Sequence, residues 1–295
     1  MNIIIAIPAY NEEKDIGRVI DEINGVMRAT SYSYKILVFD DGSTDNTVAI
    51  AKQRGAIVIS HKHNKGLAQT FRDEMIECVK LKADIIVHTD ADGQYPAAAI
   101  PALIHKIEQG YDLVLGSRFR RSFKSCSHMP FLKWLGNKAF AIVLTQLTKT
   151  RLTDTTTGFR AFTREVAEEI TYINTFTYTQ EQLIKASKQK FKITEISISP
   201  QPTRASRLFK NPWQYAVKAW INILRIYRDY EPLSFFGRIG GLFVLAGSTI
   251  GIWLIYRFIT LGYVGKLPST ILTILLIMVG LQIILFGFLA DMMKK

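Results

Sequence analysis

Short apolar runs alternate with stretches of helical periodicity along the first part of the chain. The run from Asn2 to Ile7 is stopped by Pro8, the pattern of a strand buried on both faces of a parallel sheet. Ile16, Val19, Ile20, Ile23 and Val26 then recur at helical spacing. Ile36 to Phe39 repeats the strand pattern and ends in Asp40-Asp41-Gly42-Ser43-Thr44-Asp45, a cluster suited to capping the helix through Ala49, Ile50 and Ala51. A third unit runs from Ala56 to Ser60, through Asn64-Lys65-Gly66, into a helix over Leu67 to Val79. The fourth strand, Ile85-Ile86-Val87, leads to a helix through Ile100, Leu103, Ile104 and Ile107, and the fifth is Leu113-Val114-Leu115. This alternation predicts a doubly wound, mostly parallel sheet. A helix over Arg164 to Ile170, another introduced by Tyr178-Thr179-Gln180-Glu181, and a strand within Phe191 to Ser197 complete the α/β part.

The pattern then changes. Leu132 to Leu147 predicts an apolar or amphipathic helix rimmed by basic residues, and Asn211 to Arg228 mixes Trp213, Tyr215, Trp220 and Tyr227 with Lys218, Arg225 and Arg228. Aromatic residues and cations at helical spacing suit a helix lying in a membrane interface. Ile239 to Phe258 and Ile271 to Leu289 are each long enough to cross a hydrocarbon core of about 30 Å. They predict a C-terminal two-helix transmembrane hairpin turning around Gly262 to Pro268. Arg225, Arg228, Arg238, Lys294 and Lys295 flank its open end, against Arg257 and Lys266 in the turn, so the positive-inside rule puts both termini and the globular part in the cytoplasm. Gly247 and Gly251 form a small-xxx-small pair, either the hairpin's own packing face or a contact between copies of the chain. The expected division is residues 1–205, 206–236 and 237–295.

Composition agrees and narrows the chemistry. Of 295 residues, 48% are hydrophobic and 21% charged, with the apolar excess concentrated at the C-terminus. A net charge of +12 asks for an anionic partner: nucleic acid, a membrane surface or a phosphorylated substrate. No nucleic-acid recognition module is visible, so the membrane explains the basic stretches more simply. Cys78 and Cys126 are the only cysteines, which argues against a disulfide framework or a structural zinc site. No basic leader precedes the first apolar run.

In doubly wound sheets ligands bind beyond the carboxyl ends of the strands. Pro8 to Glu12, Asp40 to Ser43, Asp90 to Gln94 and Gly116 to Arg118 all fall there and should line one crevice. Strand residues at i and i+2 share a side, so Asp90 and Asp92 can converge on one divalent ion; a polar loop that merely ends the strand is the other reading. His61-Lys62-His63 reads as a surface loop and His88 as a packed core residue.

Pro8-Ala9-Tyr10-Asn11-Glu12, Asp40-Asp41-Gly42-Ser43, Asp90-Ala91-Asp92-Gly93-Gln94 and Gly116-Ser117-Arg118, in this order, resemble the inverting family 2 glycosyltransferases of the GT-A fold over residues 1–205. Asp154 to Arg160, Arg204-Ala205-Ser206-Arg207 and the basic apolar segment narrow the resemblance to the dolichyl-phosphate mannose synthases and bacterial polyprenyl-phosphate glycosyltransferases. The resemblance implies transfer of a hexose from a nucleoside-diphosphate sugar to a polyprenyl phosphate, with GDP-mannose the first expected donor and UDP-glucose the second. It implies that Pro8, Tyr10, Glu12 and Asp41, with Asp40 as a weaker candidate, contact the nucleoside. Asp90, Asp92 and Gln94 would hold Mg²⁺ or Mn²⁺ on the diphosphate. Asp92, Arg118 and Asp154 are the expected catalytic residues, and Arg118, Arg121, Arg160, Arg204 and Arg207 the expected acceptor-phosphate ligands. Two readings of Asp154 stand, one on the acceptor or sugar and one as a structural partner of Arg160. Glu181 is either a functional group or a solvated carboxylate at a helix start. The alternative from another class is a non-catalytic membrane scaffold that binds nucleotide sugar or lipid phosphate.

Overall fold

The computed structural model describes residues 1–119, 141, 142, 144, 145, 148, 150, 152–172, 178–201, 221, 224, 225, 227–264 and 267–293. The chain folds as two compact units, Met1–Ala216 and Val217–Lys295.

The first unit is built on a seven-stranded sheet of β1 (Asn2–Ala9), β2 (Ser33–Asp40), β3 (Ile57–Ser60), β4 (Ile85–His88), β5 (Leu113–Ser117), β6 (Arg160–Thr163) and β7 (Ile193–Ser197), in the order β3-β2-β1-β4-β6-β5-β7. Between them lie α1 (Ile16–Arg28), α2 (Thr47–Gln53), α3 (Leu67–Lys80), α4 (Ile100–Glu108), α5 (Arg164–Glu169) and α6 (Thr179–Lys188). Ile3, Ile5 and Ile7 of β1 pack with Ile16, Ile20 and Ile23 of α1 and Ile100, Leu103 and Ile104 of α4 in one core. The alternate residues Ile4 and Ala6 are equally buried and take the opposite face, where α3 contacts β1. Both faces are therefore covered, which is why β1 reads as an unbroken apolar run. Each such side chain contributes about 1.5–3 kcal/mol by burial.

One strand departs from the expected pattern. β6 runs antiparallel between β4 and β5, pairing Arg160 with both His88 and Leu115, whereas the remaining pairings are parallel. A four-residue strand opening on an arginine carries no apolar run, so periodicity could not find it. Of the expected helix over Leu132 to Leu147, residues 141, 142, 144 and 145 are described and helical, with Leu144 buried and Ile142 exposed. Most of the expected interfacial helix lies outside the described residues; Ile221 and Leu224 are helical and exposed.

The second unit carries α7 (Pro232–Leu261) and α8 (Leu267–Met292), both long and apolar enough to cross a membrane. Each is longer than its apolar centre because the helix continues through the flanking residues. Their outer faces leave Leu242, Ile252, Ile259 and Leu267 more than three-fifths exposed, as expected where lipid rather than protein is the neighbour. Gly240, Gly247 and Leu254 of α7 and Thr273, Gly280 and Gly287 of α8 are buried at seven-residue intervals, the period of a left-handed helix pair. A Cβ at Gly240 would lie 2.5 Å from the Gly280 carbonyl oxygen, and one at Gly247 2.8 Å from Ile277 Cγ1. Gly247 and Gly251 both face α8, so this small-residue pair belongs to the hairpin seam. Near the turn, Arg257 lies over the Trp253 ring with Tyr256 and Tyr263 exposed beside it in sequence, an aromatic belt of the kind found at headgroup depth.

Candidate active site

The loops after β1 and β2 are stitched together by their own polar groups. Asn11, held at φ 53°, donates its N–H to Ser43 Oγ (2.9 Å) and accepts from the Thr44 N–H (2.8 Å). The Glu12 N–H meets Thr47 Oγ1 at 2.8 Å, leaving Tyr10 outermost and 42% exposed. Asp40 is buried and closes its own turn by accepting from the Ser43 N–H at 3.0 Å. Asp41 is also buried, with three donors converging on its carboxylate: His61 Nδ1 (2.9 Å) and Lys65 N (2.8 Å) on Oδ1, and Gly66 N (2.9 Å) on Oδ2. Gly42, at φ +76°, makes room for this loop, since a Cβ there would stand 2.7 Å from the His63 carbonyl carbon.

His61 opens a loop whose Lys62 and His63 are exposed, as read, but its own side chain turns inward. Its side chain is 7% exposed, packs edge-on against Phe39 and sets Nε2 2.8 Å from Asp73 Oδ2. Burial raises the Asp73 carboxyl, but the hydrogen bonds from His61 and Gln69 and the charge of Lys65 outweigh it and hold the group below its usual range. The signal missed in the sequence was spacing: His61 follows β3 directly, at the same sheet end as Asp41, and Asp73 lies on the first turns of α3.

On the β4 side, Asp90 and Asp92 lie just beyond the strand, as expected. Asp92 Oδ1 accepts the Gln94 N–H at 2.9 Å, which curls the loop back on itself. Gly93 sits at φ +72° under the Arg18 guanidinium, whose Nη2 a Cβ at this position would strike. Arg18 is braced by Asp15 and Glu22 on α1, and it is a neighbour of the loop that no motif announced. Burial pushes the Asp90 carboxyl up to about 6; His88 and Arg118 oppose the shift and Asp92 adds to it. Gly158 brings the backbone against the same carboxylate, because a Cβ there would be 2.9 Å from Asp90 Oδ1 and 3.3 Å from Tyr178 Oη. Its N–H donates to Tyr95 Oη at 3.0 Å. Two carboxylates one residue apart, one of them uncomfortable as an anion, form a hard-oxygen donor pair that a divalent cation would relieve. Among the described residues no group of three or more His, Cys, Asp or Glu side chains is gathered for a metal, so substrate oxygens and water would complete the coordination.

Arg118, at the end of β5, is buried and paired with Asp154 through Nε–Oδ2 (2.7 Å) and Nη2–Oδ1 (3.0 Å); Nη2 also reaches Thr156 Oγ1 at 2.9 Å. Burial works against ionisation of Asp154, and the Arg118 charge and hydrogen bonds overcome it, so the carboxyl stays below its usual value. Behind the pair, Glu195 of β7 accepts from Thr153 N (2.8 Å), Thr153 Oγ1 (2.7 Å) and Asp154 N (3.1 Å). Burial raises the Glu195 carboxyl despite these bonds. Glu195 had no signal beyond its place in a predicted strand.

Arg160 takes a different position from the one expected. It is fully buried; Nε and Nη2 clamp the Thr157 carbonyl at 2.9 and 2.7 Å, and Nη1 donates to the Thr179 carbonyl and Gln182 Oε1, each at 2.9 Å. These contacts make it a brace for the 157–160 segment and not a phosphate ligand, and they also separate it from Asp154, whose partner is Arg118. Glu181 is buried and paired with Lys185 Nζ at 2.8 Å, so it is not a solvated carboxylate. His88 is in the core as read, with polar partners at both ring nitrogens: Glu74 Oε1 at 2.9 Å and Tyr178 Oη at 2.8 Å. Arg121, Arg204 and Arg207 lie outside the described residues.

A mostly parallel sheet whose strand-end loops carry an Asp-x-Asp pair and a buried arginine gives the architecture of the GT-A kind. The glycosyl transferase family 2 profile matches residues 4–171, more than half of the chain, and the protein belongs to that family. It is 32% identical over 215 residues to the dolichyl-phosphate hexose transferase of Haloferax volcanii, covering 72% of this chain and 88% of that one. It is 25% identical over 298 residues to the undecaprenyl-phosphate 4-deoxy-4-formamido-L-arabinose transferase of Yersinia pestis, covering 97% of this chain and 86% of that one. The fold is shared with glucosyl-3-phosphoglycerate synthase from Mycobacterium tuberculosis, solved with Mn²⁺, UDP-glucose and phosphoglyceric acid. The TM-score is 0.57 at 20% identity, over 75% of this chain and 79% of that one.

Proposed function

We propose that this protein is a membrane-anchored, inverting glycosyltransferase that moves a hexose from a nucleoside-diphosphate sugar to a polyprenyl phosphate at the cytoplasmic face of a membrane. The observation that carries the reading is the juxtaposition of Asp90 and Asp92 with Arg118, close enough that Asp90 and Arg118 act on each other's charge, in a family 2 chain that continues into two long apolar helices. The names of the two relatives, both polyprenyl-phosphate transferases, support the acceptor. Residues 1–205 then make the transferase, 206–236 lie at the membrane interface and 237–295 cross it.

The acceptor needs little activation. A phosphate monoester has a second pKa of about 6 and is largely ionised at neutral pH, so its oxygen attacks the anomeric carbon as the bond to the diphosphate breaks, and the nucleoside diphosphate departs. Asp90 and Asp92, with Gln94 alongside, would hold Mg²⁺ or Mn²⁺, which when bound would supply charge stabilisation to the departing diphosphate. Pro8, Tyr10, Glu12 and Asp41 line the nucleoside. Arg118, oriented by Asp154, faces the phosphates, and Arg121, Arg204 and Arg207 supply positive charge for the acceptor. Of the two donors, GDP-mannose is the first expected from the family resemblance, and UDP-glucose suits the hydrogen bonding around Asp41. The test is transfer by the purified full-length protein, with Mg²⁺ or Mn²⁺, from a panel of labelled nucleotide sugars to a polyprenyl phosphate. Lipid-linked hexose is expected; no transfer from any common nucleotide sugar overturns the reading.

A further inference from the structure

We propose that the nucleoside pocket selects a base with one ring N–H between two carbonyls, the uracil pattern, over guanine. The inference rests on the reading that Asp41 meets the nucleoside, and it follows from how much of that carboxylate the chain has already used.

An ionised carboxylate is acceptor-only, with about four lone-pair positions. Both positions on Asp41 Oδ1 are taken, by His61 Nδ1 and the Lys65 N–H, and one on Oδ2 by the Gly66 N–H. Among the described residues no further donor reaches Oδ2, which leaves one position for a ligand. None of the three donors is free to withdraw. His61 is anchored at Nε2 by Asp73, which also accepts from Gln69 Nε2 at 2.9 Å and lies 3.5 Å from Lys65 Nζ. The His63–Asn64 backbone that leads into Lys65 and Gly66 is pressed onto Gly42, where even one added carbon would collide.

A single acceptor matches uracil, whose N3–H is its one ring donor. Guanine presents N1–H and the exocyclic N2–H side by side and is matched by two acceptors, the two oxygens of an open carboxylate; here Oδ1 is closed. Adenine and cytosine offer an amino donor next to a ring nitrogen acceptor, which would face a carboxylate oxygen and leave two acceptors opposed. A buried donor or acceptor left unmatched, such as the guanine N2–H here, costs about 1–3 kcal/mol, enough to separate bases by an order of magnitude or more. His61 is a positioning residue in this scheme: by occupying Oδ1 it narrows Asp41 to one contact.

The experiment is equilibrium binding of UDP and of GDP to the full-length protein in detergent, each with Mn²⁺, by calorimetry. UDP is expected to bind at least tenfold more tightly. GDP binding as tightly as UDP, or neither nucleotide binding, overturns the proposal. His61→Ala, which opens a second acceptor position on Asp41, is expected to shrink the UDP:GDP affinity ratio at least threefold. A purely structural role would weaken both nucleotides alike and leave the ratio unchanged, which overturns the assignment to His61. The wild-type comparison stands on its own if this variant does not fold. Selective UDP binding without sugar transfer to polyprenyl phosphate would overturn the proposed function while keeping the base selectivity. Transfer from a guanosine donor with tighter GDP binding would do the reverse.

Discussion

On the β1–β2 side of the crevice the chain consumes its own polar groups, whereas on the β4–β5 side it holds them in reserve. The Asp40 and Asp41 carboxylates accept four hydrogen bonds from Ser43, His61, Lys65 and Gly66. Asp90 and Asp92, two strands further along, accept one from the Gln94 N–H among the described residues. On the proposed function, the difference follows from what each pair would recognise. A flat base is distinguished by where single donors and acceptors lie, so the reading group must be fixed and mostly used up. A cation with phosphate oxygens needs several unspent oxygens, and the strain of keeping them unspent shows in the Asp90 carboxyl, raised to about 6 chiefly by burial.

The sharpest way to break this contrast is to remove an unspent oxygen. Asp92→Asn keeps the side-chain oxygen that accepts the Gln94 N–H and removes a charge from the donor pair. Transfer is expected to fall about 10³-fold, the rate equivalent of about 4 kcal/mol, with the circular dichroism spectrum and thermal midpoint unchanged. A rate within threefold of the parent would remove the metal role from the β4 side.

Asp154→Ala probes the buried pair that lies between the two behaviours, spent on a partner yet next to the reserved carboxylates. Removing it leaves the Arg118 charge buried without its bidentate partner and is expected to cost about 3–5 kcal/mol, read from chemical denaturation in detergent. Replacing both by apolar residues of similar volume should recover much of that stability while transfer remains lost, because the cation itself is what the phosphates need. Full stability in the single variant would mean that the pair is not the anchor of the 153–158 turn.

Gly158→Ala sharpens the contrast without touching a charge. The new methyl meets Asp90 Oδ1 at 2.9 Å and Tyr178 Oη at 3.3 Å, so the reserved carboxylate must shift or the turn must move. Overpacking of this kind costs about 1–3 kcal/mol, and Mn²⁺ affinity measured by electron paramagnetic resonance in the presence of nucleotide is expected to drop about tenfold. Unchanged affinity would show that Asp90 tolerates displacement.

Legibility in the sequence divides along the same line. The strand-end clusters were readable because parallel strands buried on both faces leave apolar runs with polar stops, and Asp90 and Asp92 stand at such a stop. The hairpin was readable for a simpler reason, the length of its apolar stretches. What escaped were contacts between elements. His61 looked solvent-facing because its partners, Asp41 and Asp73, are twenty residues behind it and twelve ahead of it. Arg160 looked like a phosphate ligand because a strand that begins with arginine gives no periodic signal, and only the fold reveals that Thr157 and Thr179 carbonyls take its donors. Glu195 escaped because a lone carboxylate in a half-buried strand carries no motif.

Glu195 gives the smallest test, on a carboxylate that is fully spent although it lies on the β5 side of the site. Burial raises its folded-state carboxyl above the ordinary value of 4.5, so between that value and the raised one the native protein binds more protons than the unfolded chain. Stability contributed by this group is therefore complete below pH 4.5, falls as pH rises through that window, and is level above it. Asp154 has the opposite sign: its depressed carboxyl contributes stability above the ordinary carboxylate range, and that stability is lost as pH falls through the depressed value. Glu195→Gln is an isostere of the neutral acid and preserves oxygen acceptance from Thr153 N and Asp154 N. It is expected to lie within about 1 kcal/mol of the parent at pH 4.5 and to gain on it as pH rises toward 7, with transfer changed less than threefold because Arg118 and Asp154 stay paired. Parallel pH–stability curves would mean that Glu195 titrates alike in the folded and unfolded chain, and that Thr153 and Asp154 are held in place without it.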